Sequence, residues 1–230
     1  MGESRVAALI PVYEGASTIA EVVSGALRQV PHVLVVDDGS SDGGAERARR
    51  AGAEVLRHEH NRGKGAALRT GLAHLERLGF THAFALDADG QHLPTEMPKL
   101  LEELARHPEA IIVGSRRRTD EHEIAGKNRF GNAFADWWVA LAAGRELPDT
   151  QSGFRIYPIA AVLGLGTQAD RYALESEVLI LASLRGMEIV SREVEVHYPP
   201  PAERVSHYDP WADTVRIIFT VVPFLVGLRR

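Results

Sequence analysis

Short apolar runs alternate with amphipathic stretches along the first half of the chain. Val6 to Val12 is almost wholly apolar, the pattern of a strand buried on both faces. Thr18 to Arg28 reads as a helix, opened by the capping-box pattern Thr18-Ile19-Ala20-Glu21. His32 to Val36 is a second strand, and Asp42 the N-cap of a short helix ended by Gly52. Ala53 to Arg57 gives a third strand. Lys64 to Leu78 is a helix whose Ala67, Leu68, Gly71, Leu72, Leu75 and Leu78 recur at helical spacing, stopped by Gly79. Ala83 to Leu86 is a fourth strand, Thr95 to Arg106 a helix and Ala110 to Val113 a fifth strand. Strands separated by helices predict an α/β fold, with a mostly parallel central sheet and helices on both faces.

Beyond Arg116 the pattern loosens. Residues 128–143 show a helical recurrence of Phe130, Phe134, Trp137, Trp138 and Leu141, expected to face the core. Glu175 to Leu184 reads as a helix and Glu188 to Tyr198 as a strand, halted by Pro199-Pro200-Pro201. No Gly/Ser-rich linker or repeat divides the chain, so residues 1–205 read as one domain followed by a segment over 206–230. Within that segment residues 217–228 are almost continuously apolar, flanked by Trp211 and Arg216 and by Arg229-Arg230. This run is too short to span a bilayer, which needs about 20 residues. Two readings stay open: a helix packed on the core, or a segment held at a membrane surface by Trp and Arg anchors.

Composition narrows the class. The chain has 230 residues, a net charge of −5 and no cysteine. The charge argues against nucleic acid as partner, and the missing thiols exclude disulfides, thiolate metal sites and cysteine nucleophiles. Val6 to Val12 is too short for the hydrophobic core of a signal peptide, so the expected location is cytoplasmic, with peripheral contact at the inner face of the membrane left to the C-terminal segment.

The densest chemistry lies in Leu86-Asp87-Ala88-Asp89-Gly90-Gln91-His92. Two carboxylates one residue apart, at the end of a buried strand, converge where extended backbone gives way to a turn. Hard oxygen donors of this kind suit Mg²⁺ or Mn²⁺, which keep positions open for substrate phosphates. Asp37-Asp38-Gly39-Ser40 ends the second strand, where α/β sheets bind ligands, and also reads as a turn and cap for the next helix. Asn61-Arg62-Gly63-Lys64-Gly65 opens a helix with free N–H groups and a lysine that favour a phosphate. It is no Walker A loop, because Gly65 stands where Ser or Thr is required. Taken on its own, the loop reads better as an ordinary glycine-rich turn. Asp149-Thr150-Gln151-Ser152-Gly153-Phe154-Arg155 gathers a carboxylate, an amide and a guanidinium that suit an anionic acceptor, or a turn with an ion pair.

These pieces, with Pro11-Val12-Tyr13-Glu14 and Gly114-Ser115-Arg116, resemble in their order the family 2 glycosyltransferases of the GT-A fold, over roughly residues 5 to 200. Within that family the chain is most similar to the polyprenyl-phosphate (dolichyl-phosphate) mannosyl- and glucosyltransferases, chiefly through Gln91 and the Asp149 to Arg155 run. The resemblance implies a nucleotide-sugar donor, a polyprenyl-phosphate acceptor and Mg²⁺ or Mn²⁺ as cofactor. It implies that Pro11, Tyr13, Glu14 and Asp38 line the base and ribose pocket, and that Asp87, Asp89 and Gln91 hold the metal. Arg116, Arg129 and Arg204 would face the diphosphate and the lipid phosphate, and Asp149 and Gln151 the transferred sugar. The chain has Ser206-His207 where the family commonly has Ser-Lys. A hydroxyl acceptor, a nucleotidyltransferase and a non-catalytic nucleotide-sugar binder are the competing readings; with a hydroxyl acceptor, Asp149 would be the base.

Overall fold

Alternation along the first strand, β1 (Val6–Val12), creates two cores. Successive side chains of a strand point to opposite faces. Ala7 and Leu9 join one apolar cluster, and Ala8, Ile10 and Val12 the other. The computed structural model describes residues 4–116, 137–147, 149–169, 173–197 and 222–224. In chain order the further elements are α1 (Ile19–Leu27), β2 (Val33–Asp37), α2 (Gly44–Arg50), β3 (Glu54–Arg57), α3 (Lys64–Arg77) and β4 (His82–Ala85). A 3₁₀ turn (Pro94–Glu96) then leads into α4 (Met97–Arg106) and β5 (Ile111–Arg116). After them come β6 (Arg155–Pro158), α5 (Ile159–Gly164), α6 (Ala173–Leu184) and β7 (Ile189–Val194). One face of the sheet is covered by α3, α5 and α6 through Leu68, Leu72, Leu75, Val162, Val178 and Leu181. The other is covered by α1 and α4 through Ile19, Val22, Val23, Leu100 and Leu104. Gly71 lets α3 lie close on β1, since a Cβ there would collide with the Leu9 side chain.

The seven strands run in the order β3-β2-β1-β4-β6-β5-β7. Of the six pairings four are parallel, and the two made by β6 are not: β6 is antiparallel to both β4 and β5. The sheet is thus mostly parallel with helices on both faces, as the pattern predicts. The chain walks outward from β1 to β3, then returns to place β4 on the other side of β1. Such a reversal opens a crevice at the strands' carboxyl ends, where α/β sheets take their ligands.

Several expectations are corrected. β6 and α5 lie where the sequence shows only the end of a polar cluster. A four-residue strand beginning with Arg155 and ending with Pro158 carries no visible alternation. Thr18 caps α1 without a side-chain bond to the helix; its hydroxyl donates instead to the Ala88 carbonyl, at 2.6 Å. Gly43, not Asp42, is the N-cap of α2, while Asp42 accepts from the Gly44 and Ala16 N–H groups and ties two loops together. β5 runs on to Arg116 because β7 continues to pair with it up to Val194. Of residues 128–143, those over 137–143 are helical and 128–136 lie outside the described residues. Trp137 and Leu141 turn outward there, 56% and 49% exposed, because the smaller Val139, Ala142 and Ala143 form the buried face. In the C-terminal segment residues 222–224 are described: Phe224 joins the core and Val222 is exposed. Among the described residues no helix is long and apolar enough to cross a membrane.

Candidate active site

The crevice opens because Pro11 ends a hydrogen-bond ladder. Ala8 donates to the His32 carbonyl and Asp38 to the Val12 carbonyl, so the even residues of β1 bond toward β2. Its odd residues bond toward β4, where Leu86 donates to the Leu9 carbonyl. Pro11 is the next residue on that side and has no N–H to continue. The chain after Leu86 is released from β1, and Asp87 and Asp89 enter the gap. Pro11 itself stays buried in the strand opposite Val36, so its contribution is to end the ladder.

Asp87 is the hub of a charge network. Its Oδ1 lies 2.5 Å from Lys64 Nζ, the first residue of α3, and the same ammonium lies 2.9 Å from Glu175 Oε1 in the first turn of α6. Burial works to raise the Asp87 carboxyl, but Lys64, His92 and Arg155 outweigh it and hold it below the usual carboxylate value. Asp89 behaves oppositely: burial, and then the charge of Asp87, push it up to about 6. Two partly buried carboxylates with opposed shifts describe a pair in need of further positive charge. Gly153 makes room for this pair, since a Cβ there would strike the Asp87 carboxylate. Gln91 donates its N–H to Asp89 Oδ1 at 3.0 Å and accepts from His197 N at 2.9 Å, so its backbone shapes the turn. Among the described residues no three His, Asp or Glu side chains converge on one point. Two carboxylate donors nevertheless fit Mg²⁺ or Mn²⁺, which draw their remaining ligands from water and phosphate oxygens.

Asp149 and Arg116 form the second feature. Arg116 Nε and Nη2 reach the two Asp149 oxygens at 2.8 and 2.7 Å, and its backbone N–H adds a third bond at 3.0 Å. Burial opposes the ionised form, but Arg116 holds the Asp149 carboxyl below its usual value. Asp149 adopts φ +22° to present itself, in a backbone region that Asp tolerates better than most residues. Ser152 donates to the Gly114 carbonyl at 2.7 Å and Gly114 to the Phe154 carbonyl at 2.8 Å, docking this loop on β5. Gln151 donates toward Thr150 Oγ1 and Ser176 Oγ. Arg155 is fully buried and donates to the carbonyls of Glu175 and Thr150. Its guanidinium belongs to the interior, which corrects the expectation that it faces an acceptor.

Two expectations on the donor side also change. Asp38 is 2% exposed and accepts from the His58 ring, Arg62 N and Gly63 N at 2.7, 2.9 and 2.7 Å. The chain's own carboxylate therefore fills the anion slot at the start of α3. With Lys64 drawn to Asp87 and Glu175, the Asn61 to Gly65 loop is not an open phosphate cradle. Tyr13 is 39% exposed at the crevice rim. Glu14 accepts from Ser41 N and Oγ at 2.8 and 3.0 Å, and its N–H donates to Ser40 Oγ. Arg129 and Arg204 lie outside the described residues.

Sequence reading missed His92 and Glu175. His92 is buried, stacks on Phe154 with ring centroids 5.0 Å apart, and its Nδ1 has no hydrogen-bond partner among the described residues. Burial pulls its imidazole down to about 4, so it is neutral at pH 7, although the nearby Asp87 and Asp149 carboxylates work the other way. The available signal for Glu175 was a pair of carboxylates, Glu175 and Glu177, inside an otherwise uncharged helix.

An acidic pair at the switch point of a mostly parallel sheet, with an Arg116–Asp149 ion pair at the end of β5, is the arrangement expected of a GT-A glycosyltransferase. A family model described as glycosyl transferase family 2 matches residues 7–150, and the chain belongs to that family. A UDP-N-acetylglucosamine–dolichyl-phosphate N-acetylglucosaminyltransferase of Methanococcus voltae is 27% identical over 220 residues, spanning 86% of this chain and 88% of that one. A dolichyl-phosphate beta-glucosyltransferase of Drosophila melanogaster is 32% identical over 220 residues, spanning 86% of this chain and 65% of that one. Glucosyl-3-phosphoglycerate synthase from Mycobacterium tuberculosis, in complex with Mn²⁺, UDP and glucosyl-3-phosphoglycerate, superposes with a TM-score of 0.70 at 20% identity. That alignment covers 97% of this chain and 80% of that one, and it supports the fold.

Proposed function

We propose that this glycosyltransferase is metal-dependent and inverting, and moves a sugar from a nucleotide-sugar donor of the GDP-mannose or UDP-glucose type to a polyprenyl phosphate. The observation that carries the acceptor class is the Arg116–Asp149 pair. A hydroxyl acceptor needs a base to take its proton, and the carboxylate best placed by sequence is bound at both oxygens by a guanidinium. A phosphate acceptor is already ionised near pH 7 and needs cations to position it. Relatives whose names specify dolichyl phosphate support the same reading.

In this reading Asp87 and Asp89 hold a Mg²⁺ or Mn²⁺ ion, which would neutralise charge on the leaving diphosphate. Tyr13 and Glu14 border the nucleoside, with Pro11 and Asp38 shaping the pocket from behind. Arg116, with Arg129 and Arg204, balances the charge of the phosphates, and Asp149 fixes the direction in which Arg116 points. Gln151 faces the transferred sugar. The acceptor oxygen bonds to the anomeric carbon from the face opposite the diphosphate, and the carbon–oxygen bond to the diphosphate breaks with its electron pair. No proton need move.

A transfer assay tests this directly. Purified protein with Mn²⁺ is offered GDP-mannose, UDP-glucose or UDP-N-acetylglucosamine, with and without a polyprenyl phosphate. Labelled sugar is expected in the organic phase with one donor, and absent with EDTA or with Asp89→Ala. Metal-dependent donor turnover without organic-phase label would instead move the acceptor to a hydroxyl.

A further inference from the structure

Lys64 touches two carboxylates with different surroundings. Asp87 borders the crevice, its side chain 26% exposed, whereas Glu175 is 5% exposed. The base of Lys64 is fixed, because Asp38 clamps the N–H groups of Arg62 and Gly63 just before it. Its ammonium sits at the end of a flexible stem with three rotatable donors. At 2.5 Å from Asp87 Oδ1 it occupies an oxygen that the proposed metal site requires. A divalent cation and an ammonium on one carboxylate repel each other strongly in a partly desolvated site. Leaving Asp87 does not strand the lysine charge, since Glu175 Oε1 is already 2.9 Å away. Glu175 likewise keeps a cation in both positions, avoiding the cost of an unpaired buried charge.

We propose that Lys64 is a displaceable counter-cation: it holds Asp87 when no metal is bound and shifts fully to Glu175 when a divalent cation takes that carboxylate. This rests on the reading of Asp87 and Asp89 as the metal site. Glu175 is then a positioning residue that acts through Lys64, and together they set how readily the site accepts its ion.

The test is a double-mutant cycle on the full chain, with Mn²⁺ affinity read from the EPR signal of the free ion and folding checked by thermal melting. Glu175→Gln confines Lys64 to Asp87, so Mn²⁺ binding is expected to weaken about tenfold. In a Lys64→Met background the same substitution should change affinity less than about twofold. The double variant should bind Mn²⁺ about tenfold more tightly than Glu175→Gln alone. An equal effect of Glu175→Gln with and without Lys64 overturns the proposal, because Glu175 would then act independently of the lysine. Weaker binding by Lys64→Met than by the wild type also overturns it, since Lys64 would be organising the site rather than competing for it. Should Lys64→Met not fold, the double variant against Glu175→Gln decides: tighter binding supports the proposal, equal or weaker binding overturns it. Wild-type protein that fails to bind Mn²⁺ overturns the metal reading too, whereas wild-type binding with an additive cycle overturns this proposal alone.

Discussion

Arg116 grips Asp149 at both carboxylate oxygens, with contacts of 2.8 and 2.7 Å and a backbone bond of 3.0 Å to the same side chain. The two residues stand 33 positions apart in the chain. Their union fixes the direction of the guanidinium in a planar bidentate ion pair, which a lysine would not reproduce.

The pair should behave as a unit. Asp149→Asn is expected to lower transfer to a phosphate acceptor about 100-fold by freeing Arg116. Arg116→Ala with Asp149→Asn should be no slower than Arg116→Ala alone. Each single change should cost about 1–3 kcal/mol of stability, and the double change less than their sum. Initial rates and denaturant midpoints on the four proteins check this, and additive losses in rate would contradict it.

Gly153→Ala should damage metal binding specifically. The added methyl would meet the Asp87 carboxylate, which must rotate or be displaced. Mn²⁺ and donor affinity are expected to fall at least about tenfold. Circular dichroism should remain that of the wild type, since Gly153 lies in a loop between β5 and β6. Titration calorimetry with Mn²⁺ measures the change.

The acid side of the stability profile should contain two opposing terms. Asp89, raised to about 6 by burial and by Asp87, stabilises the metal-free fold most at low pH; that contribution is lost as pH rises through about 6. His92, lowered to about 4 by burial, contributes stability that is present above the free imidazole value and lost as pH falls through about 4. Each is worth at most about 3 kcal/mol. Relative to the wild type, Asp89→Asn should melt progressively lower toward acid and His92→Phe progressively higher. Melting curves between pH 4 and pH 8 decide, and parallel profiles for all three proteins would refute the assignment. Because metal binding requires the ionised carboxylate, Mn²⁺ affinity should also drop about tenfold per pH unit below 6.

Asp38→Ala should be a stability variant first. It removes an acceptor from the His58 ring and from two N–H groups at the start of α3, in a buried place. The expected cost is about 3 kcal/mol, or roughly 6–12 °C in melting temperature for a chain of this size. Scanning calorimetry reads it directly. A melting temperature unchanged within a degree would mean that this carboxylate is spare.

Periodicity alone determined most of the frame. The alternation of apolar runs and amphipathic stretches from Val6 to Val113 specifies strands and helices, because a parallel strand buried on both faces and a helix buried on one have different periods. The acidic pair was legible for a local reason, since Asp87 and Asp89 follow a strand end and strand ends in such sheets meet ligands. Only the tertiary structure decided which partner each charge has. Lys64 and Glu175 are 111 residues apart, and Arg116 and Asp149 are 33 apart. No local pattern distinguishes a lysine aimed at a phosphate from one aimed at a carboxylate. The same holds for Asp38, whose position at a strand end suggested a ligand and whose carboxylate turned back onto α3. β6 escaped notice because a four-residue strand headed by an arginine has no alternation to read, and it exists through pairing with β4 and β5 on either side. Local patterning fixes which backbone states are accessible; the pairing of distant charges is settled when the layers pack and each buried group must find its counterpart.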